Sequence, residues 1–389
     1  MVGDFGLKVT KVEPLICNGG HRNWFFVKVT TDEGIIGYGD GTEWWGTHVM
    51  AKCVEDLAPF VIGEDPANIQ RIWQKMYIGS YVGGKNVNMA MTAIETALWD
   101  ISGKTAGKPV YELLGGKCRD KIRLYTHAYP QPRGEPSTSL ETLVKKARSL
   151  MDVGFKFIKT SIDETLPIGV DRWMDIETIS KTIEIVSLLR ETVGKKIELC
   201  IDVSNQLDFS SAVRLGRALE PFNLIWMEDP IKQEESPDSY RRLREAIRTP
   251  VGTGENLYNI WAFRNALENN GVDIILPDFV HAGGILQGLK IAALAEAYHV
   301  PVAPHNPNSP LSTIISAHLC AAIPNFVALE FIYPDVPWRD KVISKPLAVK
   351  DGYLELPTGP GLGVDLVEDE IAKHPYEEKR DFKAFPFHG

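Results

Sequence analysis

Seven polar residues stand at equivalent places in this chain, each closing a short apolar run: Lys159 in FKFIKT, Asp202 in IELCIDV, Glu228 in LIWMED, Glu255 in TPVGTGE, Asp278 in VDIILPD, His305 in VPVAPH and Glu330 in FVALEF. Asp202, Glu228 and Glu255 end three consecutive runs. Neighbouring strands lie about 4.8 Å apart, so carboxylates at their ends can converge on one point. Three converging carboxylates repel, which shifts their pKa values or demands a cation. An all-oxygen set without Cys or His suits a hard ion, with water and substrate oxygens completing an octahedron around Mg2+. Pairing with neighbouring Lys or Arg is the other way to balance them. Asp278 and His305 end the next two runs. A carboxylate one strand away can accept a hydrogen bond from one imidazole nitrogen and fix its tautomer, leaving His305 as a general base near neutral pH. Lys159, ending the second run, is either a fixed positive charge beside these groups or a lysine that snorkels to solvent.

The elements that must hold these residues fall into two regimes. Residues 7–15 and 24–39, broken at Asp32-Glu33-Gly34, read as strands joined by a hairpin. Helical spacing follows over 47–57 and 87–104, the latter ended by Gly107 and Pro109. This makes an N-terminal α+β module over 1–120. From 121 to 344 the rhythm changes to strands at 122–128, 155–160, 197–203, 224–229, 249–255, 272–278, 300–305 and 326–331, separated by helix-length segments. Eight such strands are the pattern of a (β/α)8 barrel, whose chemistry collects at the C-terminal ends of the strands. A doubly wound sheet is the alternative, but no glycine-rich phosphate loop follows the first strand. The expected fold is therefore α/β: a (β/α)8 barrel with an N-terminal α+β capping domain. The tail, 345–389, has strand and turn composition that suggests a return to the first module.

Composition narrows the partners. The 389 residues carry 42 Lys plus Arg against 51 Asp plus Glu, a net charge of −9. That balance argues against a nucleic-acid binder, which needs clustered positive charge. It leaves room for an anionic small substrate, because a metal or one local cation can overrule the global sign. No apolar run is long enough to span a membrane, and no signal-peptide pattern opens the chain. Five scattered cysteines, Cys17, Cys53, Cys118, Cys200 and Cys320, never form a CxxC pair and read as reduced thiols in a cytoplasmic setting.

The ordered set FIKT, CIDVSN, WMEDP, GTGEN, LPDFVHAGG, APHNPNSP and ALEF resembles the enolase superfamily, mandelate racemase subgroup, and within it the acid-sugar dehydratases of the galactonate type. VNMAMTAIETALWDISGKTAGKPVYELLGG looks like that family's domain-crossing helix. The likeness covers nearly the whole chain. It implies Asp202, Glu228 and Glu255 as Mg2+ ligands, Lys159 as the contact to the substrate carboxylate, His305 with Asp278 as the base dyad, and Glu330 as an acid that hydrogen-bonds the enediolate. A raised pKa, from three carboxylates nearby, is expected for Glu330 in that role. Homo-oligomers are the family expectation. Two positions depart from the pattern. Ser161 replaces the second lysine of the family's KxK motif, and Ser204 stands where galactonate-type enzymes carry a histidine acid.

Removing the weakly acidic proton α to a carboxylate requires positive charge around the developing enediolate. A β hydroxyl then leaves as water, with protonated His305 a better acid than Ser204, and the enol becomes a 2-keto-3-deoxy acid. Racemisation or epimerisation needs a second base, which Ser161 does not supply; lactone cycloisomerisation needs only one. A non-catalytic sugar-acid binder is the reading from another class. Substrate contacts are expected from Asn18, His21, Trp24 and Trp45 in the capping module, and from His127, Ser161, Ser204 and His281 at the barrel mouth. The stretches 18–24, 43–48 and 79–86 are the candidate lid. His281 can alternatively cap the helix that follows it.

Overall fold

The apolar and polar alternation of VTKVEPLICN and NWFFVKVTT builds an antiparallel sheet of β1 (Val9–Asn18), β2 (Asn23–Thr31) and β3 (Ile36–Asp40), whose buried face carries Phe25, Val27 and Val29. The computed structural model describes residues 6–81, 83–128, 139–162, 172–232 and 237–378. Helices α1 (Thr47–Leu57), α2 (Ile69–Gly79) and α3 (Lys85–Ala106) cover that face. Helix α3 is buried along nearly its whole length, because the sheet lies on one side of it and the second layer on the other. Gly107, in the left-handed conformation, ends it as the sequence predicts.

The second layer is a closed parallel barrel. β4 (Lys121–His127), β5 (Phe157–Ser161), β6 (Glu198–Asp202), β7 (Met227–Glu228), β8 (Val251–Thr253) and β9 (Ile274–Ile275) pair in chain order. Single bridges from Ile275 to Val302 and from Val302 to Phe326 carry the ladder on, and β10 (Leu329–Glu330) returns to β4 in parallel. Several expected strands are therefore much shorter than their apolar runs. Apolar character reports burial on both faces, whereas ladder hydrogen bonds stop where the chain turns towards the barrel mouth.

The interior explains the placement of the polar residues. Tyr125, Phe157, Cys200, Trp226, Leu276, Ala303 and Ala328 form a buried cluster inside the barrel. Side chains repeat every second residue along a strand. Two positions beyond each plug residue therefore stand His127, Lys159, Asp202, Glu228, Asp278, His305 and Glu330. Strand β8 differs: Ile274, Leu276 and Trp226 crowd the space a side chain at Gly252 would need, and Gly254, at φ +141°, re-aims the chain so that Glu255 reaches the mouth.

The tail divides. Its hairpin, β11 (Val349–Lys350) and β12 (Tyr353–Glu355), adds antiparallel to the outer part of β4, so these strands extend the barrel sheet rather than the first module. The hydrogen-bonding edge of β4 ahead of Leu124 is open there and takes them. Residues 361–377 do reach the first module, through Leu362 N to Asp100, Lys28 and Tyr38 to Glu368, and Asn18 N to the His374 carbonyl. Residues 379–389 lie outside the described part. None of the described helices is long and apolar enough to cross a membrane.

Candidate functional site

Asp202 and Glu228 end adjacent strands in register, and Glu255 follows β8 by two residues. One oxygen from each of the three carboxylates lies within 4.8 Å of the others, a spacing that can hold a metal ion. Burial, only partly offset by Lys159 and reinforced by Asp202 and Glu330, pushes Glu228 up to about 8. Burial also raises Glu255 well above the carboxylate range, with Asp229, Asp202 and Glu228 adding repulsion. A hard divalent cation fits this donor set, since it would neutralise charge that the protein leaves partly uncompensated.

Lys159 is fully buried and does not snorkel. Its Nζ lies 2.8 Å from Glu228 Oε1, 2.5 Å from Glu330 Oε1 and 3.7 Å from Asp202 Oδ2. Burial alone would lower this ammonium, but the three carboxylates hold it well above the ordinary lysine value. The expected rise for Glu330 is not met. Burial pushes its carboxyl up, yet Lys159, His305 and His127 outweigh that and hold it well below the usual range. Its Oε1 accepts from His127 Nε2, and its Oε2 accepts from Asn306 N at 3.0 Å. The Lys159 ammonium, in contact, outranks the carboxylates farther off and favours the ionised, accepting form of Glu330.

His305 Nδ1 and Asp278 Oδ2 are 2.8 Å apart. The other ring nitrogen, Nε2, faces the carboxylates, 3.3 Å from Glu255 Oε2 and 3.9 Å from Glu330 Oε2. Asn308 Nδ2 donates to the same Asp278 oxygen at 2.7 Å, and Arg22 Nη1 donates to Asn308 Oδ1 at 2.5 Å. The dyad is thus braced from the N-terminal layer. His281 does not cap its helix: Nε2 donates to the Thr42 carbonyl at 2.7 Å, and Nδ1 lies 3.5 Å from Asp278 Oδ2. Asp278, His281 and His305 form a second group with metal-ligand spacing.

The remaining expected contacts separate clearly. Ser161 pairs in register with Asp202, and Ser204 donates from both N and Oγ to Asp202 Oδ1, at 2.8 and 3.0 Å. Both line the mouth. His21 is buried, with Nε2 donating to the Pro307 carbonyl at 3.2 Å, beside the loop that carries His305. Asn18 Oδ1 accepts from Gly20 N within its own turn. Trp24 is a correction: it is fully buried in the hydrophobic core, because β2 turns it inward. Trp45 is 56% exposed, two residues ahead of α1. Asn306, Asn308 and Trp226, whose indole donates to Glu228 Oε2 at 2.9 Å, were not read as site residues, although APHNPNSP and WMEDP contain them.

Comparison with known proteins agrees with this geometry. Residues 16–115 match the mandelate racemase / muconate lactonizing enzyme N-terminal domain, and residues 142–370 match the enolase C-terminal domain-like family. The chain belongs to the enolase superfamily. Superfamily relatives include a D-xylonate dehydratase from Haloferax volcanii, 34% identical over 95% of this chain and 89% of its own length. A D-galactonate dehydratase from Pectobacterium atrosepticum is 35% identical over 90% of each chain. The solved structure of a mandelate racemase/muconate lactonizing enzyme-like protein from Rubrobacter xylanophilus superposes with a TM-score of 0.89 at 32% identity, covering 98% of this chain and 99% of that one. Enolase-superfamily members use a divalent metal, and the acidic cluster of this chain is suited to one.

Proposed function

We propose that this chain is a Mg2+-dependent acid-sugar dehydratase, converting an aldonate or aldarate to a 2-keto-3-deoxy acid. The observation that carries the reading is His305, tied at Nδ1 to Asp278 and presenting Nε2 to the carboxylate cluster. In this assignment Asp202, Glu228 and Glu255 hold the metal. When bound, the cation supplies positive charge against the substrate carboxylate as the α proton leaves. Lys159 adds a second, permanent charge on those oxygens. Glu330 orients Lys159 and His127 as an ionised acceptor, which replaces the donor role expected of it. His305 Nε2 takes the α proton, the electron pair forms the enol double bond, and the β hydroxyl departs with the proton His305 now holds. One water is lost and the enol ketonises.

Ser161 favours this one-base chemistry over racemisation, since a serine hydroxyl is no base and Lys159, on the same strand, is held as an ammonium by Glu228 and Glu330. His21, His127, Ser161, Ser204 and His281 are the proposed substrate contacts, with Asn18 and Trp45 at the rim. A homo-oligomer in a reducing cytoplasm belongs to the same reading, supported by five unpaired cysteines for the redox setting alone. The test is incubation with Mg2+ and a panel of aldonic and aldaric acids. Keto acid detected with semicarbazide is the expected result; binding without any keto acid would overturn the reading in favour of a sugar-acid binder.

A further inference from the structure

We infer that Glu95, on helix α3 of the N-terminal layer, is a positioning residue for the Asp278–His305 pair; the inference rests on the dehydratase reading above. Helix Gly284–Ala297 starts six residues after Asp278 and opens on two glycines, so it has no side chain of its own to cap its first N–H groups. Glu95 supplies the cap from another layer. Its Oε2 accepts from Ile285 N at 3.0 Å and its Oε1 from Leu286 N at 2.9 Å, while Trp99 Nε1 donates to Oε1 at 2.8 Å. The turn is shaped around this carboxylate. Gly284 has φ +91°, and a Cβ there would overlap Glu95 Oε2.

The same short segment is tied at its other end to the dyad. Val280 N donates to Asp278 Oδ1 at 3.0 Å, and His281 N and Ala282 N both donate to the Asp278 carbonyl, at 3.0 and 2.7 Å. Between these anchors, Asn88 Nδ2 donates to the His281 carbonyl at 2.5 Å and Trp73 Nε1 to the Gly283 carbonyl at 3.2 Å. The segment from Asp278 to Leu286 is therefore held at one end by the dyad carboxylate and at the other by the N-terminal layer. A local Ser or Asp N-cap would stabilise the helix without burying a carboxylate completely. Placing the cap on α3 instead fixes where the Asp278 turn lies relative to the layer above the barrel mouth. Misplacement of a reacting group by about 1 Å costs on the order of 10²-fold in rate.

The test compares wild type, Glu95→Gln and Glu95→Asp as full-length protein with Mg2+ and an acid sugar that the wild type dehydrates. Gln keeps the shape but offers one acceptor oxygen, and its NH2 must face a helix N–H. The expected result for E95Q is a kcat lower by about 10²-fold with KM changed less than about threefold. Exchange of the α proton with solvent should fall in parallel. E95D, which keeps both oxygens on a shorter stem, should recover part of the kcat. Should E95Q not fold, E95D is read alone, and its kcat should fall with KM retained. Folded E95Q or E95D with wild-type kcat, or a loss confined to melting temperature, would overturn the inference. A wild type silent on every acid sugar would instead overturn the dehydratase reading.

Discussion

Lys159 Nζ lies 2.5 Å from Glu330 Oε1, and this contact sets the charge of the pocket floor. The same ammonium reaches Glu228, so one cation is shared between a proposed metal ligand and a carboxylate outside the metal set. The carboxylates around this ammonium outnumber it, and a bound divalent metal would supply the positive charge that is missing. Glu330 is an acceptor in this arrangement, and His127 is oriented by it.

Replacing Lys159 with Met removes the ammonium that Glu228 and Glu330 share. Loss of such a preorganised charge costs about 10²–10³ in kcat. Glu330→Gln should fall in the same range, because its role depends on negative charge. Steady-state kinetics on a confirmed substrate check both; an E330Q variant with wild-type kcat would return Glu330 to the donor role.

Metal binding should be visible without turnover. Glu228 is raised to about 8 and Glu255 well above its usual range without a cation, so binding near pH 7 should release protons. Calorimetry in buffers of different ionisation enthalpy measures that release. Mg2+ at about a hundred times its Kd should stabilise the fold by about 2.7 kcal/mol. Glu228→Gln should abolish most of the stabilisation, and chelation of the wild type should reverse it.

Much of this site was legible because a strand repeats every second residue. Once Phe157, Cys200, Trp226 and Ala328 lie inside a barrel, Lys159, Asp202, Glu228 and Glu330 must stand at its mouth. The charge of Glu330 was not legible, since it depends on how far the Lys159 side chain reaches across the barrel. Trp24 was misread because aromatic residues near a lid and in a core look alike in one dimension. Glu95 and Asn308 act across long sequence separations, and no local pattern marks such contacts. The strand at 300–305 shrinks to two single-residue bridges at Val302 because its apolar residues report burial, not pairing.

Acid stability supplies a prediction away from the pocket. His318 is buried, accepts from Tyr111 N at Nδ1 and donates from Nε2 to the Leu362 carbonyl, an arrangement that fits a neutral ring. Burial lowers it to about 4, the backbone contact opposing only weakly. A base depressed in the folded state protonates first in the unfolded chain, at about 6.5. Stability should therefore fall as pH drops from about 6.5 to 4, by on the order of 3 kcal/mol from this residue. Thermal unfolding at pH 7.5 and 5 should show a smaller difference for His318→Gln than for wild type.

The most direct test of the account is turnover in D2O with Mg2+, read by NMR and mass spectrometry on wild type and His305→Asn. The wild type should form a 2-keto-3-deoxy acid carrying one solvent deuterium at C3, where the enol takes its new proton. His305→Asn should lose about 10²–10⁴ of that rate. Deuterium appearing only at C2 of unreacted or epimerised substrate, or full activity in His305→Asn, would contradict it.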